Sequence, residues 1–246
     1  FSQISPKILF ITDQYYYNGK KINIIDRLPE ILKAILSMKN VVITSYPGKS
    51  FLKPKKKINK VKITKWVELM KKNIKEISYP NFDFEHELAI LYASGTTGKP
   101  KCICHRPGAV LIQHKKEHQL HCDIKENDNV FYVTACGWMM WNWLVSGLLL
   151  KSTIYLYDGS PFYPNPEILW DYVSSEKINF MGISAKYIDA LSKENINIIE
   201  KYKLSDLEII GSTGSPLIHE SFDYIYNNVK TDVSVASLSG GTDIVG

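Results

Sequence analysis

Apolar residues at Leu28, Ile31, Leu32, Ile35 and Leu36 recur at three- and four-residue intervals, which predicts a helix over 26–38. A short strand over 2–11 precedes it and a β-branched strand at 41–44 follows, so the order predicts a βαβ unit with parallel pairing. Between them, Tyr15, Tyr16 and Tyr17 run into Asn18-Gly19, a strong two-residue hairpin signal. Tyr46-Pro47-Gly48 ends this part, the polar stretch to Lys62 reads as a loop, and 64–73 reads as a short helix capped by Thr64. Further on, the pattern predicts strands at 88–92, 102–105, 130–134, 154–157, 179–183 and 207–210. Helices are predicted at 109–120, 168–175 and 186–193. The fold class is therefore α/β, in βαβ layers with mostly parallel sheets.

Three loops rich in glycine and hydroxyl groups follow short apolar segments, two of them the predicted strands at 88–92 and 207–210. Tyr92-Ala93-Ser94-Gly95-Thr96-Thr97-Gly98-Lys99-Pro100-Lys101 offers exposed backbone N–H groups, three hydroxyls and two lysines, a composition suited to a polyphosphate. It is not a Walker A loop, because two residues rather than four separate its glycines and Pro100 follows Lys99. The second is Gly211-Ser212-Thr213-Gly214-Ser215-Pro216-Leu217, and the third is Ser237-Leu238-Ser239-Gly240-Gly241-Thr242-Asp243. Each alone is weak, but loops at the carboxyl ends of parallel strands converge on one crevice. The strand at 130–134 delivers Gly137-Trp138-Met139-Met140-Trp141-Asn142-Trp143 to the same end; Trp138 reads as a pocket wall, and Trp141 and Trp143 as either core or wall. The residues together predict a nucleotide or phosphate site facing an aromatic-walled pocket.

Composition narrows this only a little. The chain of 246 residues is 45% hydrophobic and 12% aromatic, ample for a core. Its longest apolar-leaning stretch, 138–150, is short of the roughly 20 residues that span a bilayer, which predicts a soluble protein without membrane association, while its few, unpaired cysteines predict a cytoplasmic one. Net charge is +5, yet the window 49–75 holds eleven lysines and one acid, so the charge elsewhere is negative. That window carries no arginine and reads as a solvated loop or linker rather than a nucleic-acid surface. Cys102, Cys104, Cys122 and Cys136 read as reduced thiols. A zinc site could be drawn from Cys102, Cys104, His105, His114, His118, His121 and Cys122, but the spacing lacks a two-residue knuckle and favours packing.

The loop at 92–101 resembles the signature loop of the adenylate-forming superfamily. Ser2-Gln3-Ile4-Ser5-Pro6-Lys7, Gly137-Trp138-Met139-Met140-Trp141-Asn142, Leu156-Tyr157-Asp158-Gly159-Ser160-Pro161, Gly211-Ser212-Thr213-Gly214-Ser215-Pro216 and Ser239-Gly240-Gly241-Thr242-Asp243 are more narrowly similar to the acetoacetyl-CoA synthetase family. The resemblance spans the chain and makes 1–246 part of an AMP-binding domain. It implies a ligase that joins acetoacetate to coenzyme A through an acyl-adenylate, with ATP and Mg2+. By that resemblance Ser94, Gly95, Thr96, Thr97, Gly98 and Lys101 hold the β- and γ-phosphates, and Gly214, Ser215 and Pro216 line the adenine. Gly241 and Thr242 meet the α-phosphate, with Thr242, Asp243 and Lys101 as the catalytic set; Asp243 holds Mg2+, and Trp138 and Gly240 shape the acyl pocket.

Two departures from the family pattern stand out. Asp243 replaces the usual Glu, and Gly240 replaces an aromatic residue found in acetyl-CoA synthetases, which implies room for a longer acid and a shift toward shorter acids in Gly240→Trp. The family's C-terminal lid with its catalytic lysine is not in the 246 residues, so the chain reads as an internal fragment not expected to complete the ligation alone. A short-chain acetyl or propionyl-CoA synthetase and a non-catalytic nucleotide-binding remnant are the alternatives.

Overall fold

The computed structural model describes residues 1–55, 61–71, 76–94 and 98–246, which form two compact units, Phe1–Asn81 and Phe82–Gly246. The first unit contains β1 (Ile8–Thr12), β2 (Gln14–Tyr17), β3 (Lys20–Asn23), α1 (Leu28–Ala34), β4 (Asn40–Thr44), β5 (Lys62–Lys65) and α2 (Trp66–Met70). β1 and β5 flank β4, both parallel to it, as the βαβ reading requires. Alternation places Val41 and Ile43 on one face of β4, where they bury against Ile25, Leu28, Ile35 and Met38. β2 and β3 pair as the expected hairpin, with Asn18 and Gly19 both at positive φ (50° and 72°), the geometry of a type I′ turn.

Two expectations here need correction. The helix predicted over 26–38 is regular only over Leu28–Ala34, because residues 25–27 form a 3-10 turn and Ile35 leaves the helical region at φ −122°, ψ 84°. Thr64 caps no helix: it lies in β5 opposite Val42, and α2 begins two residues later, where the Glu68 carboxylate accepts the Lys65 N–H at 3.4 Å. β5 and α2 thus take up residues 62–70 of the lysine-rich window 49–75; residues 56–60 and 72–75 lie outside the described residues.

Asp13 ties this unit together although it is fully buried. Its Oδ1 accepts the Tyr46 N–H at 3.1 Å and its Oδ2 the Leu52 N–H at 2.9 Å, while its own carbonyl accepts the N–H groups of Ile24 and Ile25. One side chain therefore fixes the turn after β4, and its backbone fixes the chain leaving the hairpin.

The second unit contains β6 (Ala89–Ala93), β7 (Lys101–His105), α3 (Pro107–Lys116), β8 (Asn129–Tyr132), α4 (Met139–Ser146), β9 (Thr153–Tyr155), α5 (Ile168–Ser175), β10 (Phe180–Ser184), α6 (Ala185–Lys193), β11 (Ile209–Thr213), α7 (His219–Asn228) and β12 (Ser234–Ser237). Five strands form a wholly parallel sheet in the order β12-β11-β10-β8-β9. Both faces are covered, as parallel sheets demand. Phe131, Met181 and Ile210 point to α5, α6 and α7, burying Leu169, Trp170, Tyr187, Leu191 and Ile225. Their neighbours in the strands, Val130, Tyr132 and Phe180, point the other way, to Trp143 and Leu144 of α4. Gly182 stands in register beside Tyr132, and a Cβ there would enter the tyrosine ring, so glycine is what lets the two strands pair at this point.

β6 and β7 form a separate antiparallel hairpin. The Trp-rich segment is helical, α7 was not foreseen, and β11 extends to Thr213, so Gly211 and Ser212 belong to a buried strand instead of a turn. No helix among the described residues is long and apolar enough to cross a membrane.

We expect Asp13→Ala to lower the unfolding free energy by about 3 kcal/mol, since it strands two part-buried N–H donors that a buried, charged acceptor satisfied. Asp13→Asn, which keeps one acceptor oxygen, should lose less. Urea unfolding midpoints of the two variants against the parent chain check the order.

Candidate functional site

β8, β11 and β12 run in the same direction, so the segments after them emerge at one edge of the sheet. Trp138 to Met140, from the first, and Gly214, Ser215 and Pro216, from the second, line a cavity of about 800 Å3 with the segment from Ser237 to Thr242. Thr213, Trp143 and Gly246 complete it with Glu117, His121 and Cys122, which come from the region of a π-helical turn, Glu117–His121, that continues α3. The volume suits a ligand of nucleotide size. Trp138 is 72% exposed, so it stands at the mouth, whereas Trp143 is buried and forms part of the floor.

Of the residues singled out in the sequence, Trp138, Gly214, Ser215, Pro216, Gly240, Gly241 and Thr242 meet at this cavity. Ser94, Gly98, Lys101 and Asp243 are exposed and do not line it. Gly95, Thr96 and Thr97 lie outside the described residues. The hairpin nonetheless reaches the third loop: His105 Nε2 lies 2.8 Å from the Thr242 carbonyl oxygen. Lys101 is four residues back along β7, about 13 Å at the rise of a strand, so the tie is at the base of the hairpin and the lysine at its tip.

Sequence reasoning missed what the histidines do. His114 Nε2 bonds the Val245 carbonyl oxygen, so His105 and His114 together hold the backbone of 242–245. His118, one turn on, meets the Trp143 carbonyl oxygen at 3.0 Å and Ser146 Oγ at 2.9 Å, and its ring packs on the indole of Trp143. Against carbonyl oxygens Nε2 must carry the proton, which leaves Nδ1 as a bare acceptor; in His114 and His118 that atom is buried without a hydrogen-bond partner. Burial pulls both imidazoles below their usual range, with the Val245 carbonyl and Glu117 opposing it at His114. His118 falls to about 4, from burial first and then the neighbouring His114. The spacing i, i+4 was the available signal, since it puts both rings on one helix face. Among the described residues no group of three or more His, Cys, Asp or Glu side chains could hold a metal ion.

Glu117 was also missed. Its Oε2 accepts the Trp143 Nε1–H at 2.9 Å and its Oε1 the Gln113 Nε2–H at 2.6 Å, which aims the carboxylate at the cavity wall. The glycine at 240 lines the cavity, but a Cβ built on it would run into the Gly246 carbonyl. Gly240→Trp would thus have to displace the 240–246 turn, and cannot simply fill vacant space.

Residues 2–234 match the AMP-binding enzyme family. The chain belongs to that family. This AMP-binding chain is 42% identical over 245 residues to the acetoacetyl-coenzyme A synthetase of Rhizobium meliloti (strain 1021), and 40% identical over 247 residues to the acetoacetyl-CoA synthetase of Gallus gallus. Each alignment takes in 100% of this chain and 37% of the relative. The structure of the acetoacetyl-CoA synthetase from Streptomyces lividans superposes on 99% of it with a TM-score of 0.88 and 34% identity, again over 37% of that chain. The AMP-binding chain therefore spans little more than a third of the length of the relatives it matches.

The buried histidines give the AMP-binding chain a pH dependence whose sign follows from their lowered values. The unfolded chain takes up protons near the ordinary imidazole value of 6.5 that the native His118 refuses until about 4, so stability is intact above 6.5 and falls as pH drops toward 4. For His118 alone the loss approaches about 3 kcal/mol. Unfolding midpoints recorded from pH 7.5 to 4.5 should fall, and the fall should flatten in His118→Gln.

Proposed function

We propose that the chain binds an acyl-adenylate and forms the adenylate-holding part of a ligase joining acetoacetate to coenzyme A. The observation that carries this reading is the single cavity shared by 138–140, 214–216 and 240–242, segments far apart in sequence that the family motifs assign to acyl group, adenine and α-phosphate. In the first step a carboxylate oxygen of acetoacetate bonds to the α-phosphorus of ATP, and the bond from that phosphorus to the bridging oxygen breaks, releasing pyrophosphate. In the second, the thiol sulfur of coenzyme A bonds to the acyl carbon and AMP leaves with the anhydride oxygen. Positioning and charge neutralisation are the protein's contributions to such transfers.

The residues take the following parts in this reading. Gly214, at φ +89°, turns the chain so that Ser215 and Pro216 lie along the adenine. Thr242 donates its hydroxyl to the α-phosphate, with Gly241 beside it, and the tie from His105 to the Thr242 carbonyl holds that hydroxyl's backbone in place. Ser94, Gly95, Thr96, Thr97, Gly98 and Lys101 hold the β- and γ-phosphates. Asp243, an exposed carboxylate next to the cavity-lining Thr242, would hold Mg2+, a cation that takes oxygen ligands, and the ion would neutralise phosphate charge there. Gly240 lets the 240–246 turn close beside the acyl end, with the Gly246 carbonyl where a side chain would stand.

Calorimetric titration with the non-hydrolysable adenylate mimic 5′-O-(N-acetoacetylsulfamoyl)adenosine tests the reading. We expect it to bind the chain at least ten times more tightly than adenosine, and Thr242→Val to weaken it about fivefold, the equivalent of one hydrogen bond. Equal affinity for the mimic and for adenosine would overturn the proposal.

A further inference from the structure

A carboxylate is an unusual wall for a pocket that receives an organic acid, and Glu117 lines the cavity beside Trp143 and the turn that carries Gly240. Its two oxygens face Gly246, the Gly246 carbonyl covers Gly240, and Trp143, whose indole N–H bonds Glu117, borders the same cavity. The side chain is held from two sides, by Trp143 Nε1 and by Gln113 Nε2, so it does not swing away from a ligand. It is also shielded, with 16% of its side-chain surface accessible. Of the other charged groups nearby, Lys116 Nζ stands 4.0 Å from Oε1 on a side chain 41% exposed and outside the lining, where water screens it. His121 lines the cavity; Asp243 does not.

From this placement we propose that Glu117 is a specificity-determining residue: its carboxylate admits acids whose remote end is an uncharged carbonyl group, a methyl ketone or a primary amide, and rejects those ending in a second carboxylate. The inference rests on the acyl-adenylate reading above. Two like charges about 5 Å apart in a partly shielded site repel enough to change affinity on the order of 10²-fold. A neutral ketone suffers no such repulsion, and an amide N–H can donate to the lone pairs that Trp143 and Gln113 leave free.

The test uses two mimics of one shape, malonyl- and malonamoyl-sulfamoyladenosine, which differ at the remote end as carboxylate against amide. At pH 8, where imidazoles are neutral, the parent chain should bind the malonamoyl compound roughly 100 times more tightly. Glu117→Gln should bring that ratio below 10, while Glu117→Asp, which keeps the charge, should hold it above 10. A parent ratio under three overturns the inference whatever the variants do. So does an unchanged ratio in Glu117→Gln whose unfolding midpoint matches the parent; if that variant does not fold, the parent ratio and the Asp variant decide. Failure of the acetoacetyl mimic to bind at all would overturn the functional reading instead, a separate outcome of the same titrations.

Discussion

Parallel pairing is the constraint on which the site depends. Because every strand of the five-stranded sheet points the same way, residues separated by about a hundred positions, Trp138 and Gly240, are delivered to one edge. The strand order adds a second condition. From β8 the chain passes outward to β9 and then returns to β10 on the other side of β8, so the direction of winding reverses between β8 and β10. Crevices form outside the carboxyl ends of strands at such reversals. β10 itself passes directly into α6 at Ser184 and Ala185, with no intervening loop to fill the space. The cavity therefore lies between the segment after β8 and those after β11 and β12.

What the sheet does not fix is the path of 240–246. Within it only Val245 is buried, so apolar packing gives this turn little hold. Its carbonyl oxygens are held instead by imidazoles, from His105 at the base of the hairpin and His114 on α3. The His114 ring does this as a neutral group, because a proton on its buried, unpartnered Nδ1 would place charge in a site that disfavours it. The arrangement therefore favours neutral and alkaline conditions, and it places the conformational integrity of the Thr242 segment in the hands of residues that touch no part of the cavity.

The sequence carried the βαβ order, the parallel sheet and most of the cavity's glycines, because apolar period and turn chemistry are local signals. It did not carry α7, whose buried face includes Ser221 beside Tyr224 and Ile225 and so lacks a plain apolar stripe. Nor did it show that Gly211 and Ser212 sit inside a strand: their small size reads as a turn, yet it serves packing, since a Cβ on Gly211 would press on Phe180 and Leu238. Ser94, Gly98 and Lys101 show the limit in another way. Their composition marks them for phosphate, but composition says nothing of reach, and the hairpin holds Lys101 away from its tie to Thr242. In sequence the histidines offer only ligands or packing, since nothing in one sequence reveals that a ring will find a backbone carbonyl some 130 residues on.

Gly240 brings these strands of argument together. Read from sequence, the missing aromatic side chain means empty volume, and selectivity becomes a matter of acid length. In the folded chain the backbone of Gly246 occupies the direction a side chain would take, so glycine at 240 is first a condition for the turn to close. The end of the pocket is then finished by what the closed turn rests against, which is the carboxylate of Glu117 and, through it, the indole of Trp143. Size discrimination by a hydrophobic wall is worth one to two orders of magnitude per methylene at most. A held charge acts on a different property of the acid, whether its far end is ionised, and two acids of equal length become distinguishable. The glycine at 240 and the carboxylate at 117 are on this view parts of one device, the first allowing the turn and the second giving it a chemical preference.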